Sequence, residues 1–298
     1  MIRLGIVDLD SSHGVEFTKR LNHIDIDQDQ WVDGAKVVMA CPGESKLSPE
    51  RIPTHTEAMK KYGVPLVADP REMIGKIDAV MIESVDGSVH LERSLPFIEA
   101  GVPLFVDKPF ACSSRDAREM VKAAQMHHLP IFSSSSLRYA PEVAALSEPP
   151  KKTGKLVGAD TFGPATLHPR NPGLFHYGIH PVEMLFALMG PGCDTLARVG
   201  DDKGEVVTGY WKDGRVGSVR GIRSGRSGYG FTAFGEKTIQ QQSVSTQFIY
   251  RELLVRVVKM FQTREAPIPP DHTLEIVAFI EAALDSGRHD GKPTKVVV

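Results

Sequence analysis

Five short apolar runs, at residues 2 to 8, 36 to 41, 78 to 84, 103 to 106 and 130 to 133, constrain this chain's fold more than any other feature. They are rich in Val and Ile and do not alternate apolar with polar, which is the pattern of strands buried on both faces. Between them, stretches near 14–22, 54–62, 88–100 and 114–127 space their apolar residues as helices do. The last opens at Ser113-Ser114 with an acidic residue close behind, a capped helix start. Strand and helix in alternation predict right-handed βαβ units and a doubly wound parallel sheet.

After Leu137 the pattern changes. Residues 195 to 244 form strand-like runs broken by Asp-Gly and Gly-rich turns, and Lys212-Asp213-Gly214-Arg215 predicts a hairpin with a type I′ turn. Pro269-Pro270-Asp271 precedes a helical run to about Ser286, followed by Gly287 and a terminal strand, Thr294 to Val298. The expected architecture is α/β, with a parallel-sheet domain over 1–137. An α+β domain with a mostly antiparallel open sheet follows over 138–298, its helix at about 271–287 able to pack back on the first. A length of 298 residues suits two domains.

Charge narrows the partners. Lys plus Arg number 35 against 37 Asp plus Glu, so a net charge of -2 provides no basic field for nucleic acid or an anionic membrane. A small molecule is the expected partner. Cys41, Cys112 and Cys193 are far apart and form no C-x-x-C pair, which suggests neither a disulfide framework nor a zinc ribbon and fits a reducing compartment. The opening residues turn acidic at Asp8, too soon for a secretory segment or a membrane span, so the expected location is the cytoplasm.

Three segments carry a family likeness: SVDGSVHLERSLPFIEAGVPLFVDKPF (84–110), SSSSLRYAPE (133–142) and FHYGIHPVEMLFALMG (175–190). In order and spacing they resemble the Gfo/Idh/MocA oxidoreductases, the glucose-fructose oxidoreductase and inositol dehydrogenase group. The resemblance implies a Rossmann-like first domain, NAD or NADP as cofactor, and hydride transfer to or from a secondary alcohol of a sugar, cyclitol or sugar acid. It also implies a homo-oligomer built through the second-domain sheet. Asp107-Lys108-Pro109 is similar to the family's Glu-Lys-Pro signature, and His90 stands where the family has a histidine upstream. Lys108 is thereby the expected proton-handling residue, at the strand end where open α/β sheets bind ligands. His176 and His180 are similar to the family's Asp-x-x-x-His pair, with His176 in the aspartate's place. Arg138 follows the serine run where the family contacts substrate, although Ser136 replaces the usual Asn. By resemblance the cofactor contacts are Asp10, Ser11, Ser12, His13, Cys41, Ser84, Asp86, His90, Lys108 and Pro109, and the substrate contacts are Lys108, Arg138, His176 and His180.

The turn after the first strand departs from that pattern. A dinucleotide fingerprint reads G-x-G-x-x-G, whereas this chain has Asp8-Leu9-Asp10-Ser11-Ser12-His13-Gly14, with Asp8, Asp10 and His13 at the glycine positions. An ionised carboxylate about 5 Å from a phosphate charge repels it by roughly 3 kcal/mol at an effective dielectric of 20. A dinucleotide therefore requires both acids to be turned away or neutralised. The second strand ends in Cys41-Pro42-Gly43-Glu44-Ser45-Lys46 without the usual ribose-binding acid, which leaves NADP open beside NAD.

Other signals carry bland readings. Asp25, Asp27 and Asp29 mimic a calcium loop that lacks its glycine and its bidentate Glu. Arg215, Arg220, Arg223 and Arg226 read as a solvated face or a subunit contact, with an acidic substrate such as a uronic acid as the functional alternative. His180 before Pro181 reads as a helix cap, with Glu183 completing a capping box. His176, His180 and Glu183 could share a metal only on one continuous helix; Pro181 argues against it, and no metal is expected. Two rival functions stand beside the redox one. One is a non-redox lyase, hydrolase or epimerase on the same scaffold; the other is a silent sugar-binding subunit.

Overall fold

A computed structural model describes residues 1–147 and 153–298. The chain forms two compact units. The first comprises Met1–Ala111, Arg115–Ser134 and Tyr250–Pro270; the second comprises Cys112–Ser114, Ser135–Ile249 and Asp271–Val298.

In the first unit, β1 (Ile2–Val7), β2 (Ala35–Cys41), β3 (Ala79–Ile82), β4 (Leu104–Val106) and β5 (Ile131–Phe132) make an all-parallel sheet in the order β2-β1-β3-β4-β5. Leu66 adds a single parallel bridge to Ala40 beyond β2, the remnant of an edge strand. Every residue of β3 and β4 is buried, as strands covered on both sides must be. The connecting helices are α1 (Ser12–Asn22), α2 (Ile52–Lys61), α3 (His90–Glu99) and α4 (Ser114–Met126). On α4, Ala117, Met120, Val121 and Ala124 are buried at helical spacing. The sheet turns over between β1 and β3, so a ligand crevice is expected at the carboxyl ends of those strands.

The second unit opens with α5 (Pro141–Ser147) and contains β6 (Leu156–Pro164), α6 (Ile179–Met189), β7 (Cys193–Asp201), β8 (Gly204–Trp211), β9 (Val216–Ile222), β10 (Gly230–Gly235) and β11 (Ile239–Ser243). After α7 (Ile249–Thr263) come α8 (Pro270–Arg288) and β12 (Thr294–Lys295). Seven strands run in the order β11-β10-β6-β9-β8-β7-β12, antiparallel except for the β6–β9 pair.

The structure differs from the sequence expectation at several elements. Asp213-Gly214 does turn a hairpin, but only Gly214 has positive φ (+86°), and Trp211 N–H donates to the Arg215 carbonyl at 2.8 Å. A three-residue loop with one left-handed residue replaces the expected type I′ turn. Strand β6 was not expected: its glycines weaken the strand pattern, yet Gly158 is required, because a Cβ there would lie 2.6 Å from the Val216 carbonyl oxygen of β9. The helix that clusters with the first unit's segments is α7, whereas residues 271–298 cluster with the second. The terminal strand is two residues long, and Val297 and Val298 are exposed.

Candidate functional site

In the first unit the chain leaves β1 at Asp8 with φ +68°, a left-handed conformation that favours glycine and that Asp tolerates better than most residues. Tertiary bonds hold it there. Asp8 Oδ2 accepts from Ser84 Oγ at 2.5 Å and from Arg93 Nε at 3.2 Å, and the side chain is buried. Gly43, at φ +65°, lies so close that a Cβ would fall 1.7 Å from Asp8 Oδ1, so no side chain fits at that position. Asp10 Oδ1 accepts from the Val85 amide at 3.1 Å. Burial pushes both carboxyls up, against the pull of these donors. Ser11 caps α1 by accepting from the His13 amide at 3.1 Å, and Ser12 is the exposed first residue of that helix.

These contacts meet the condition that the sequence set for a dinucleotide. Both acids at glycine positions are turned onto protein donors, and one is paired with a guanidinium. Beside them, at the ends of β1 and β2, lies a cleft of about 440 Å³ whose walls include Asp8, Cys41, Pro42, Gly43, Glu44 and Arg93. The residues present therefore fit a nucleotide, with the start of α1 available to an anion. Cys41 is buried and its thiol is pushed up by burial, so it lines the cleft as an apolar group.

Beyond β4, Lys108 follows Asp107, and the Lys108–Pro109 peptide is cis. The Lys108 side chain is 13% exposed, with Nζ 3.6 Å from Asp107 Oδ2. The same Oδ2 lies 2.9 Å from His13 Nδ1, which is itself 3.9 Å from Glu83 Oε2. Burial alone would raise the Asp107 carboxyl; the His13 ring and the Lys108 charge outweigh it and hold it below the usual range. Glu83 goes the other way. Fully buried and facing Asp107, its carboxyl rises well above the usual range. Sequence reasoning missed Glu83, which looked like the polar end of an apolar strand.

Two expected cofactor contacts have other tasks. His90 is fully buried, its Nδ1 3.1 Å from the Phe110 carbonyl and its Nε2 2.8 Å from the Ser84 carbonyl, so it ties together the loops after β3 and β4. Asp86 caps the short helical turn Gly87–Val89, accepting from the Ser88 amide at 3.0 Å.

The second unit has its own cluster at the start of α6. His180 Nδ1 lies 2.7 Å from Ser135 Oγ, which also accepts from the Leu137 amide at 3.2 Å. A series of ring contacts runs from His168 to His176 (5.5 Å), Tyr177 (4.9 Å), His180 (5.9 Å) and Tyr229 (5.7 Å). His168 and Tyr229 were not foreseen, because their segments are remote in sequence. The capping expectation fails: α6 begins at Ile179 with Gly178 as cap, and His180 is already inside the helix. Glu183 is drawn instead into a buried ion pair with Arg138 Nε. That pairing also takes Glu183 away from the histidines as a metal ligand. Arg138, expected to meet substrate, keeps Nη2 without a hydrogen-bond partner among the described residues. Arg215 bonds Asp213 and the Met189 carbonyl, and Arg223 bonds Glu205 and the Ala165 carbonyl, so these two arginines are spent on the sheet.

Comparison with known proteins follows the same lines. Residues 45–134 match the GFO_IDH_MocA family, described as an oxidoreductase family with an NAD-binding Rossmann fold. Among solved structures, a probable dehydrogenase from Thermotoga maritima is 19% identical with a TM-score of 0.80, covering 99% of each chain. Myo-inositol 2-dehydrogenase from Lactobacillus plantarum is 15% identical with a TM-score of 0.82, also covering 99% of each chain. A myo-inositol dehydrogenase from Corynebacterium glutamicum is 14% identical with a TM-score of 0.82, covering 100% of this chain and 99% of that one. At these identities the likeness establishes the fold. No curated protein sequence matches the chain. Among the described residues, no helix is long and apolar enough to cross a membrane.

Proposed function

We propose that this chain, whose residues 45–134 match the NAD-binding Rossmann fold of the Gfo/Idh/MocA oxidoreductases, is a member of that family and an NAD(P)-dependent dehydrogenase. Its substrate is a secondary alcohol of a cyclitol, sugar or sugar acid; the inositol dehydrogenases among its structural neighbours favour a cyclitol. The observation that carries the reading is Lys108, a partly buried amine at the carboxyl end of a central strand of the matched module, beside Asp107.

When bound, the dinucleotide supplies the hydride acceptor or donor. The chain's residues do the rest. Arg93 and Ser84 neutralise Asp8, and the Val85 amide occupies Asp10, so that the start of α1 can face phosphate. Lys108 takes or returns the substrate's hydroxyl proton at Nζ. In the second unit His180, oriented by Ser135, is the other proton-handling residue of this proposal, and His176 assists without the anionic charge of an aspartate. The unpartnered Nη2 of Arg138 suits a substrate oxygen. A homo-oligomer through the seven-stranded sheet belongs to the same proposal, supported by Tyr210 and Val216, which are opposed in register and exposed.

The test is turnover, followed as reduced nicotinamide absorbance, over a panel of cyclitols, sugars and sugar acids with each cofactor. K108M is expected to lower kcat by about a hundredfold or more with little effect on dinucleotide affinity. Wild-type rates from K108M would remove Lys108 from the chemistry.

A further inference from the structure

Glu83 and Asp107 follow the two central strands β3 and β4, and His13 lies in the first turn of α1. Glu83 and Asp107 are wholly buried and His13 is 6% exposed. Neither oxygen of Glu83 has a hydrogen-bond partner among the described residues, and Asp107 Oδ1 has none either. An ionised Glu83 is thus a buried charge without a donor. A protonated Glu83 is a buried O–H without an acceptor. Either state is among the costliest arrangements a protein interior can hold.

A cation removes both difficulties. The ligand atoms of His13, Glu83 and Asp107 all lie within 4.8 Å of one another, with Nδ1 of His13 at 2.9 Å from Asp107 and 3.9 Å from Glu83. An ion bonded at 2.0–2.2 Å sets neighbouring ligands about 3 to 3.5 Å apart, a spacing those two distances bracket. The ring is already aimed. His13 stacks on Phe17 at 4.9 Å and meets the edge of Tyr250 at 5.0 Å, and these contacts fix Nδ1 toward the carboxylates. Lys108 Nζ, 3.6 Å from Asp107 Oδ2, pairs with that carboxylate and also draws on the Glu83 charge, but it donates no hydrogen bond to either Glu83 oxygen.

We propose that His13, Glu83 and Asp107 bind one divalent transition-metal ion, Zn²⁺ or Mn²⁺. One imidazole and two carboxylates suit these borderline and hard ions, and the triad contains no thiolate to select a softer one. The inference departs from the sequence expectation of no metal, and it does not rest on the redox reading. It explains why His13 occupies a glycine position of the fingerprint.

The test uses the full chain stripped with a chelator and dialysed against Zn²⁺ or Mn²⁺ without dinucleotide. Metal content and thermal melting are then measured. The wild type is expected to hold about one ion per chain and to melt higher with metal than without, by linkage. E83Q, which keeps the shape and removes the charge, should bind at least about tenfold more weakly while melting no lower than the metal-free wild type. H13Q should repeat that loss of binding and serves if E83Q does not fold. Absence of stoichiometric Zn²⁺ and Mn²⁺ in the wild type, or wild-type binding by a folded variant, would overturn the site.

Discussion

Asp8 shows how a residue that breaks a motif can be accommodated without destroying the motif's purpose. Its backbone takes the left-handed conformation that a glycine would have supplied, and its charge is spent on Arg93 and Ser84. Removing the countercharge should therefore hurt more than removing the charge. R93A removes the pull that keeps the Asp8 carboxyl down; where Asp8 is ionised it repels a phosphate by up to roughly 3 kcal/mol, so dinucleotide affinity is expected to fall by as much as about a hundredfold, with the loss growing as pH rises. D8N should change it by less than about tenfold. Fluorescence titration with reduced nicotinamide measures both, and a larger loss in D8N than in R93A would reverse the argument. From sequence alone the acids were visible and their partners were not, because Ser84 and Arg93 come from a loop and helix some 76 and 85 positions away.

At the scale of elements, α8 shows what holds the second unit's sheet. Glu275 on its buried face accepts from the amides of Gly192 and Cys193, both at 2.7 Å, where the chain enters β7. E275A leaves one buried and one half-buried donor unmet and should destabilise the protein by about 2–4 kcal/mol, whereas E275Q, which keeps an acceptor, should cost about 1 kcal/mol. Urea denaturation measures the difference, and equal losses would assign the effect to packing. The adjacent Cys193 thiol is pushed up to about 12 by burial and then by the Glu275 charge, so it stays protonated and inert. The elements legible in sequence were those with one unambiguous period. The five parallel strands fell within about two residues of their expected ends because burial on both faces leaves a purely apolar run. Strand β6 was hidden by glycines that close strand contacts demand. Helix α7 carried a helical spacing at Leu253, Leu254, Val257, Val258 and Phe261 that went unread among the turn-rich segments before it.

At the scale of the whole molecule, the hydrophobic period changes near residue 137, where the sequence expectation put its boundary; the two compact units change over at 134/135 and also exchange residues 112–114 and 250–270. The return of residues 250–270 to the first unit was not readable. It depends on contacts such as Tyr250 against His13 and Phe17, which join residues more than two hundred positions apart. The family likeness pointed to Lys108, His176 and His180, each now located within its own unit. It gave no sign of Glu83, since a lone acid at a strand end has no sequence signature. The central claim is that the first unit binds a nicotinamide dinucleotide despite its acidic loop. Thermal melting of the full chain, first freed of any carried-over nucleotide, tests it most directly. At a ligand concentration about a hundred times Kd, NAD(H) or NADP(H) should stabilise the protein by roughly 2.7 kcal/mol, a rise of several degrees in Tm. An unchanged Tm with all four nucleotides at millimolar concentration would contradict the account.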